Sequence, residues 1–481
     1  MRDMVLVLNF DDAASRTVTR KLRAERVFCR IIPGNTPAEE ILVQEPLGLL
    51  LAGGARGEAL PNDFDLGLLR VHVPLLALGD CAGALLQALG GHCGEKVLTG
   101  AVAPVEYSPC ELFTGLENGE RLLPCLREMR LPEGCKSICR AFETVAGFAC
   151  EGRPVYGVQL QAEPNDPDSS LLLRNFALNI CGCTTWWDDD AFVDRAVEEI
   201  GRVVGGGTAV CAMTGGLDSG VSALLAHQAL GNRLKCVFVD TGLLRENEGD
   251  DFMAFYKEKI GLNVIRVCAQ DRFLSALRGL AGGREKRAAI SRVMQEVLDE
   301  ARAQLGHFDV LIRGTSCNDV MMYRNDERPT LSRDVPVVEP VRELFKDEIR
   351  RIGDFLGLPQ DIVSRQPFPG SGLALRILGE VTVDRLRVLR TADAIFRSEV
   401  QKNGIARKLW QYFAVLAPAP GKPEENVITL RAVQVSARAS AARLPYEVAE
   451  NTVERVMNAC PSVKRVLYDL TPSDHYTGIE W

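Results

Sequence analysis

The feature that most constrains the fold is a regular alternation of short, unbroken apolar runs with longer amphipathic stretches. Val5–Leu8, Val27–Ile32, Leu47–Leu51 and Pro74–Leu78 have strand length, and Ala13–Arg26 and the stretch ending at Ala88 have helical spacing. A strand that is apolar on both faces must be covered on both. A parallel neighbour also needs a crossover helix, so this order predicts a parallel sheet with helices on either side. The third run ends at Gly53-Gly54.

The alternation breaks at Thr184–Asp190, where two tryptophans precede three aspartates, and then restarts. A helix at Ala191–Val204 and a break at Gly205-Gly206-Gly207 lead into an expected strand at Thr208–Met213. A loop at Thr214–Gly220, a helix at Val221–Leu230 and a strand at Lys235–Asp240 complete one βαβ unit. Strands at Asn263–Val267 and Val310–Ile312 and a charged helix at Lys286–Leu305 extend it. Near Ser364 the composition turns rich in Pro and Gly. Beyond lie a helix at Val383–Asn403, a strand at Asn426–Val433, a helix at Pro445–Ala459 and a strand at Val463–Leu470. A chain of 481 residues suggests three domains at ~150 residues each. They are expected at 1–188, 189–365 and 366–481, and the last is small enough to invite a partner surface.

The net charge of -8 argues against nonspecific nucleic-acid binding, which needs clustered Lys and Arg. No apolar run approaches the ~18–20 residues of a membrane span. The N-terminus lacks a basic region followed by a long apolar stretch, so a cytoplasmic protein is expected. Fifteen irregularly spaced cysteines fit reduced thiols there. Cys181 and Cys183 form a lone C-x-C pair with no second pair at zinc spacing, so no metal site is expected.

Chemistry concentrates in Thr214-Gly215-Gly216-Leu217-Asp218-Ser219-Gly220, between an apolar strand and a helix. Glycines allow a tight bend that brings backbone N–H groups close to an anion, and the helix start adds free donors and positive dipole. The hydroxyls of Thr214 and Ser219 are further candidate donors. No lysine follows the glycines, so this is not the mononucleotide loop that ends in Gly-Lys-Ser/Thr. Asp240 and Arg245 fall just past the carboxyl end of a parallel strand, where ligands of open α/β sheets collect.

The loop resembles Ser-Gly-Gly-x-Asp-Ser of the N-type ATP pyrophosphatases, with Thr214 in place of the first serine. The surroundings resemble the GMP synthetase family: Val237–Arg245, Glu339–Glu348, Arg365–Gly370, Leu378–Thr382, Trp410–Val415 and Ala442–Tyr446 run in family order through to Ile479-Glu480-Trp481. The resemblance implies a flavodoxin-like amidotransferase domain and an adenine-nucleotide α-hydrolase-like ATP pyrophosphatase domain. A small α+β C-terminal dimerisation domain completes the implied α/β architecture. It also implies ATP and Mg²⁺, adenylylation of xanthosine monophosphate with release of pyrophosphate, and displacement of AMP by ammonia. Lys346 is the expected catalytic cation on the leaving pyrophosphate, and Asp218 is the second expected catalytic residue. A homodimer is implied as well.

Class I amidotransferases need an elbow cysteine, a histidine base and a glutamate two residues beyond it. Gly79-Asp80-Cys81-Ala82-Gly83 satisfies G-x-C-x-G and proposes Cys81, whereas a gapless count from Val73-Pro74 to Gly90-Gly91 puts the nucleophile position on Gly79. The family's Tyr-Gly-Val-Gln-Phe-His-Pro-Glu corresponds to Tyr156–Glu163. Glu163 is kept, but Gln161 stands where the histidine belongs. An amide has no pKa near 7 and cannot activate a thiol. Of the five histidines, only His92 follows the elbow within this domain, and it lies too close. Cys81, Gln161 and Glu163 are therefore expected to be a vestigial glutaminase.

The acceptor side also departs from the family. Gly314–Val320 keeps the start of a lid segment, but Met321–Asp334 is short and lacks Ile-Lys-Ser-His-His-Asn. Leu416–Pro423 lacks the usual arginine, and Ser473–Gly478 replaces Lys-Pro-Pro-Gly-Thr. Asp474 in place of lysine disfavours a phosphate. A paralogous pyrophosphatase with another acceptor, or a non-catalytic nucleotide-binding partner, stays open beside the synthetase reading.

Overall fold

The computed structural model describes residues 3–53, 65–70, 72–322, 329–366, 368–435 and 439–471. They form two compact units, Met1–Phe192 and Val193–Trp481.

The first unit holds a nine-stranded sheet: β1 (Val5–Asn9), β2 (Cys29–Pro33), β3 (Gly48–Ala52), β4 (Leu75–Leu78), β5 (His92–Tyr107), β6 (Gly119–Arg130), β7 (Cys135–Ala141), β8 (Thr144–Cys150) and β9 (Val155–Val158). Its order is β2-β1-β3-β4-β9-β8-β7-β5-β6. The expected parallel sheet is only part of it. Strands β2, β1, β3, β4 and β9 run parallel, while β8, β7, β5 and β6 add on antiparallel. The difference is written in burial. Every residue of β3 and β4 is buried, as a strand covered on both faces requires. In β5, by contrast, Ala103 and Val105 point inward while Pro104 and Glu106 point outward, as an antiparallel ribbon wet on one face requires.

The second unit is built on a parallel sheet of β10 (Ala209–Met213), β11 (Leu234–Asp240), β12 (Val264–Cys268), β13 (Val310–Ile312) and β14 (Val337–Val338), in the order β12-β11-β10-β13-β14. The chain leaves β10 toward β11 and β12, then returns to β13 on the other side. The carboxyl end of β10 is therefore the switch point, where open parallel sheets leave a crevice. The helix after β10 spans Leu217–Leu230, four residues earlier than its expected start. Gly220 belongs to that helix and packs against the Tyr256 hydroxyl, so it is not a loop residue.

A smaller sheet follows in the same unit: β15 (Gln411–Ala419), β16 (Lys422–Val435), β17 (Ala439–Ala441) and β18 (Val463–Tyr468). The strand β15 was not foreseen. The expected break at 365/366 falls inside this unit, and the core runs across it. Leu243, Phe273 and Val293 pack in one cluster with Leu389, Phe396 and Ile428. A sheet this small leaves its apolar face uncovered unless neighbouring helices bury it. No helix among the described residues is long and apolar enough to cross a membrane. The expected Gly54 end of β3, residues 323–328 of the lid segment and the whole tail Ser473–Gly478 lie outside the described residues.

Candidate functional site

The Thr214–Gly216 bend sits at the carboxyl end of β10, at the switch point. It is closed from within. The Thr214 amide donates to Ser219 Oγ at 3.3 Å, Ser219 Oγ donates to the Gly216 carbonyl at 3.1 Å, and the Gly216 amide reaches Thr214 Oγ1 at 3.4 Å. Ser219 is buried, and its hydroxyl is spent on the bend. Gly216 is the N-cap of Leu217–Leu230 and offers no side-chain oxygen. The first-turn amides are thus left to an acceptor from outside, which is how a helix start receives an anion.

Two expected residues meet here. Lys346, the first residue of the helix Lys346–Phe355, places Nζ 2.6 Å from Asp218 Oδ1. The two helices touch where Gly353 abuts Leu217 and Val221. From the other side, Gly314 lies so close that an added Cβ would stand 2.5 Å from the Ser219 nitrogen. Beside it, Thr315 Oγ1 donates to Glu339 at 2.5 Å and holds the Gly314-Thr315 segment against the bend.

Asp240 and Arg245 turn out differently from one another. Asp240 is buried at the end of β11, and both its oxygens are engaged. Oδ1 accepts from the Gly242 amide at 3.0 Å, and Oδ2 accepts from Arg266 at 2.5 Å and Gln270 at 3.2 Å. Burial pushes its carboxyl upward, but Arg266, the Gly242 amide and Gln270 outweigh it and hold the pKa below the ordinary value. Arg245 lies in the wall of a cavity of about 680 Å³ that also includes Gly215, Arg365, Arg397, Trp410 and Tyr412. Arg365 donates to the Gly215 carbonyl and pairs with Glu248, tying this wall to the bend. No role for Arg365 or Arg397 was expected, although Arg365 opens one of the motifs quoted above.

In the first unit, the turn from β4 into the helix Asp80–Ala88 has Gly79 at its tip, with φ 60° and ψ -131°. A side chain is strained in this conformation, and a strand-to-helix nucleophile elbow imposes such strain on its nucleophile. Gly79, not Cys81, holds the positive-φ tip of this turn. Cys81 is one turn position inside the helix and 1% exposed, with its sulfur against Gly53. Gln161 and Glu163 line a cavity of about 500 Å³ with Leu78, Tyr107 and Arg121, and no histidine is among the described residues lining it. The Gly79 amide donates to the Leu160 carbonyl at 3.2 Å, so elbow and Gln161 adjoin. The structure thus brings Gly79 and Gln161 together, while Cys81 is not among the residues lining that cavity. Among the described residues there is no cluster of three His, Cys, Asp or Glu side chains arranged to hold a metal.

These features define the class: a mixed α/β protein whose second unit has the strand–bend–helix build of an ATP pyrophosphatase. Residues 398–481 match the family model of the GMP synthase C terminal domain. The full chain aligns with a glutamine-hydrolyzing GMP synthase of Clostridium perfringens at 38% identity, covering 100% of both chains. It aligns with those of Clostridium tetani at 36% and Caldicellulosiruptor saccharolyticus at 35%, in each case over 100% of this chain and 99% of the relative. The chain belongs to the glutamine-hydrolyzing GMP synthase family.

Proposed function

We propose that this chain is an ATP-dependent carbon–nitrogen ligase that converts xanthosine monophosphate to GMP with ammonia, and that it does not hydrolyse glutamine itself. Gly79 carries this reading. With hydrogen for a side chain, the elbow has no atom to attack the glutamine amide, and Gln161 cannot act as base.

The ligase half is chemically equipped. The amides at the start of Leu217–Leu230 receive the phosphate chain of ATP. The acceptor's carbonyl oxygen attacks the α-phosphorus, the α–β bond breaks, and pyrophosphate leaves. Ammonia then adds to the activated carbon and AMP departs with its bonding pair. Lys346 neutralises charge growing on pyrophosphate, and Asp218 aims its ammonium. Mg²⁺ reaches such sites with ATP and needs one or two carboxylates beyond the phosphates; when bound it withdraws charge from the leaving group. Asp218, engaged through only one oxygen in the described contacts, fits that need. Asp240, with both oxygens engaged, holds the β11 loop in place. The cavity beside Gly215, in whose wall five arginines stand with four carboxylates, receives the anionic acceptor. The C-terminal piece, on which Tyr446, Met457, Leu467 and Leu470 are exposed, pairs two copies.

A different acceptor is favoured by one observation: Leu416–Pro423 and Ser473–Gly478 lack the residues that hold the substrate phosphate in the family. One experiment separates the readings. The purified protein is given Mg·ATP, xanthosine monophosphate and either ammonium or glutamine, and pyrophosphate and GMP are followed. GMP from ammonium alone supports the proposal. Pyrophosphate with other carbonyl nucleotides but not with xanthosine monophosphate supports the second reading, and no pyrophosphate with any acceptor leaves a nucleotide-binding partner.

A further inference from the structure

Behind the arginine cavity lies a charge arrangement that is incomplete by itself. Arg376 is fully buried, and none of its three guanidinium nitrogens has a hydrogen-bond partner among the described residues. Its guanidinium stacks on Phe413 at 4.2 Å and on Phe368 at 5.1 Å. Arg245 covers Phe368 at 4.4 Å, is 6% exposed, and has Nε and Nη2 likewise unpartnered. One carboxylate stands between the two. Asp393, 1% exposed, sets Oδ1 3.6 Å from Arg376 and Oδ2 3.8 Å from Arg245 Nε. Oδ1 also accepts the Ala414 amide at 3.1 Å.

Two buried guanidiniums therefore share one carboxylate, while Arg397 adds positive charge nearby. Burial pulls Arg245 down to about 10 and Arg376 to about 9. Asp393 opposes that shift in both, and Arg397 reinforces it. A buried charge is costly unless it is paired and hydrogen-bonded, and of the two guanidiniums it is Arg245 that lines the cavity. The segment carrying Arg245 is also clamped from the helix that bears Asp393, because Arg390 donates to the carbonyls of Leu244, at 2.8 Å, and Gly242.

We propose that Asp393 is a positioning residue for the acceptor: it faces the Nε edge of Arg245 and so sets how that cavity-lining side chain meets an anionic oxygen of the nucleotide. This rests on the reading above that the cavity receives the acceptor. Asp393 touches no substrate and acts through Arg245.

Kinetics of Asp393→Asn, Arg245→Met and the double variant test this. Asp393→Asn is expected to raise the KM for xanthosine monophosphate about tenfold, the scale of one charged hydrogen bond, and to leave the KM for ATP unchanged. In the Arg245→Met background it should add less than about twofold, because coupled residues are not additive. An unchanged acceptor KM, or a full effect in the Arg245→Met background, overturns the proposal even if the ligase reading stands. A readout independent of turnover covers failure of that reading or of a variant's fold. Inorganic phosphate and, separately, xanthosine are titrated against the Tm of the wild type and the folded variants. The account expects stabilisation of the wild type that is lost in Asp393→Asn, with the effective arm identifying the phosphate or the base as the anion. Equal stabilisation of all proteins by either probe, or none of the wild type by either, overturns it.

Discussion

Gly79 donates its amide to the carbonyl of Leu160 at 3.2 Å, which sets the elbow of the first unit directly against Gln161. On the function proposed above, these neighbours hold the positions of an amidotransferase's nucleophile and base, without the thiol or the imidazole. Restoring them together should restore hydrolysis. Gly79→Cys with Gln161→His is expected to release glutamate from glutamine about a hundredfold faster than Gly79→Cys alone, the scale of a positioned general base. Glutamate release equal in the single and double variants would show that the site has drifted beyond repair.

Cys81 offers a contrast, because it is the residue that the local motif nominates. Buried one turn position into its helix, it has no access to the cavity lined by Gln161. Cys81→Ser should leave ammonium-dependent GMP formation unchanged and should not alter the background of glutamine hydrolysis. A fall in glutamate release on this substitution would reinstate Cys81 as nucleophile.

Lys346 and Asp218 stand 2.6 Å apart at the mouth of the bend. If the ammonium meets charge on the leaving pyrophosphate, Lys346→Met lowers the rate of pyrophosphate release about 10²–10³-fold, as loss of one such donor does elsewhere. Lys346→Arg should recover part of it. A change confined to the KM for ATP, with kcat intact, would make Lys346 a ground-state contact only.

Gly314 is a steric lock on the same bend. A methyl group there would stand 2.5 Å from the Ser219 nitrogen and 2.6 Å from its Cα, against backbone that cannot swing away. Gly314→Ala should displace the start of Leu217–Leu230, weaken ATP binding, and cost about 1–3 kcal/mol of stability, as overpacking does. Calorimetric titration with ATP and a urea melt measure both effects.

Asp240 gives a pH signature. Its carboxyl is held below the ordinary value in the folded protein, so the stability it contributes is fully present above the unfolded pKa of ~3.9. That stability is lost as pH falls through the lower folded value. Asp240→Asn removes the dependence. Unfolding free energies of the two proteins from urea melts should differ most above the unfolded pKa and draw together as pH falls below it. A difference that grows on acidification would contradict the assignment.

What the sequence made legible follows from locality. Thr214–Ser219 is a run of six consecutive residues from a strand end into a helix, and Lys346 falls within a contiguous motif of its own, so both could be read in one dimension. Gly79 could not be chosen over Cys81 by spacing, because two counts were possible and only the positive φ of the turn decides between them. The antiparallel strands β5–β8 were missed because the parallel-sheet reading was extended over residues that alternate inward and outward. The arginine cavity was invisible for another reason: Arg245, Arg365, Asp393 and Arg397 meet only when the C-terminal helix Val383–Lys402 packs on the β11 loop. That same packing carries one core cluster across the expected division at 365/366.

The most direct test of the central claim follows the nitrogen. The protein is supplied with Mg·ATP, xanthosine monophosphate and glutamine labelled with ¹⁵N in its amide, with and without unlabelled ammonium. GMP is then weighed by mass spectrometry. The account predicts unlabelled GMP when ammonium is present and no GMP from labelled glutamine alone. Labelled GMP formed from glutamine by this chain alone would contradict it.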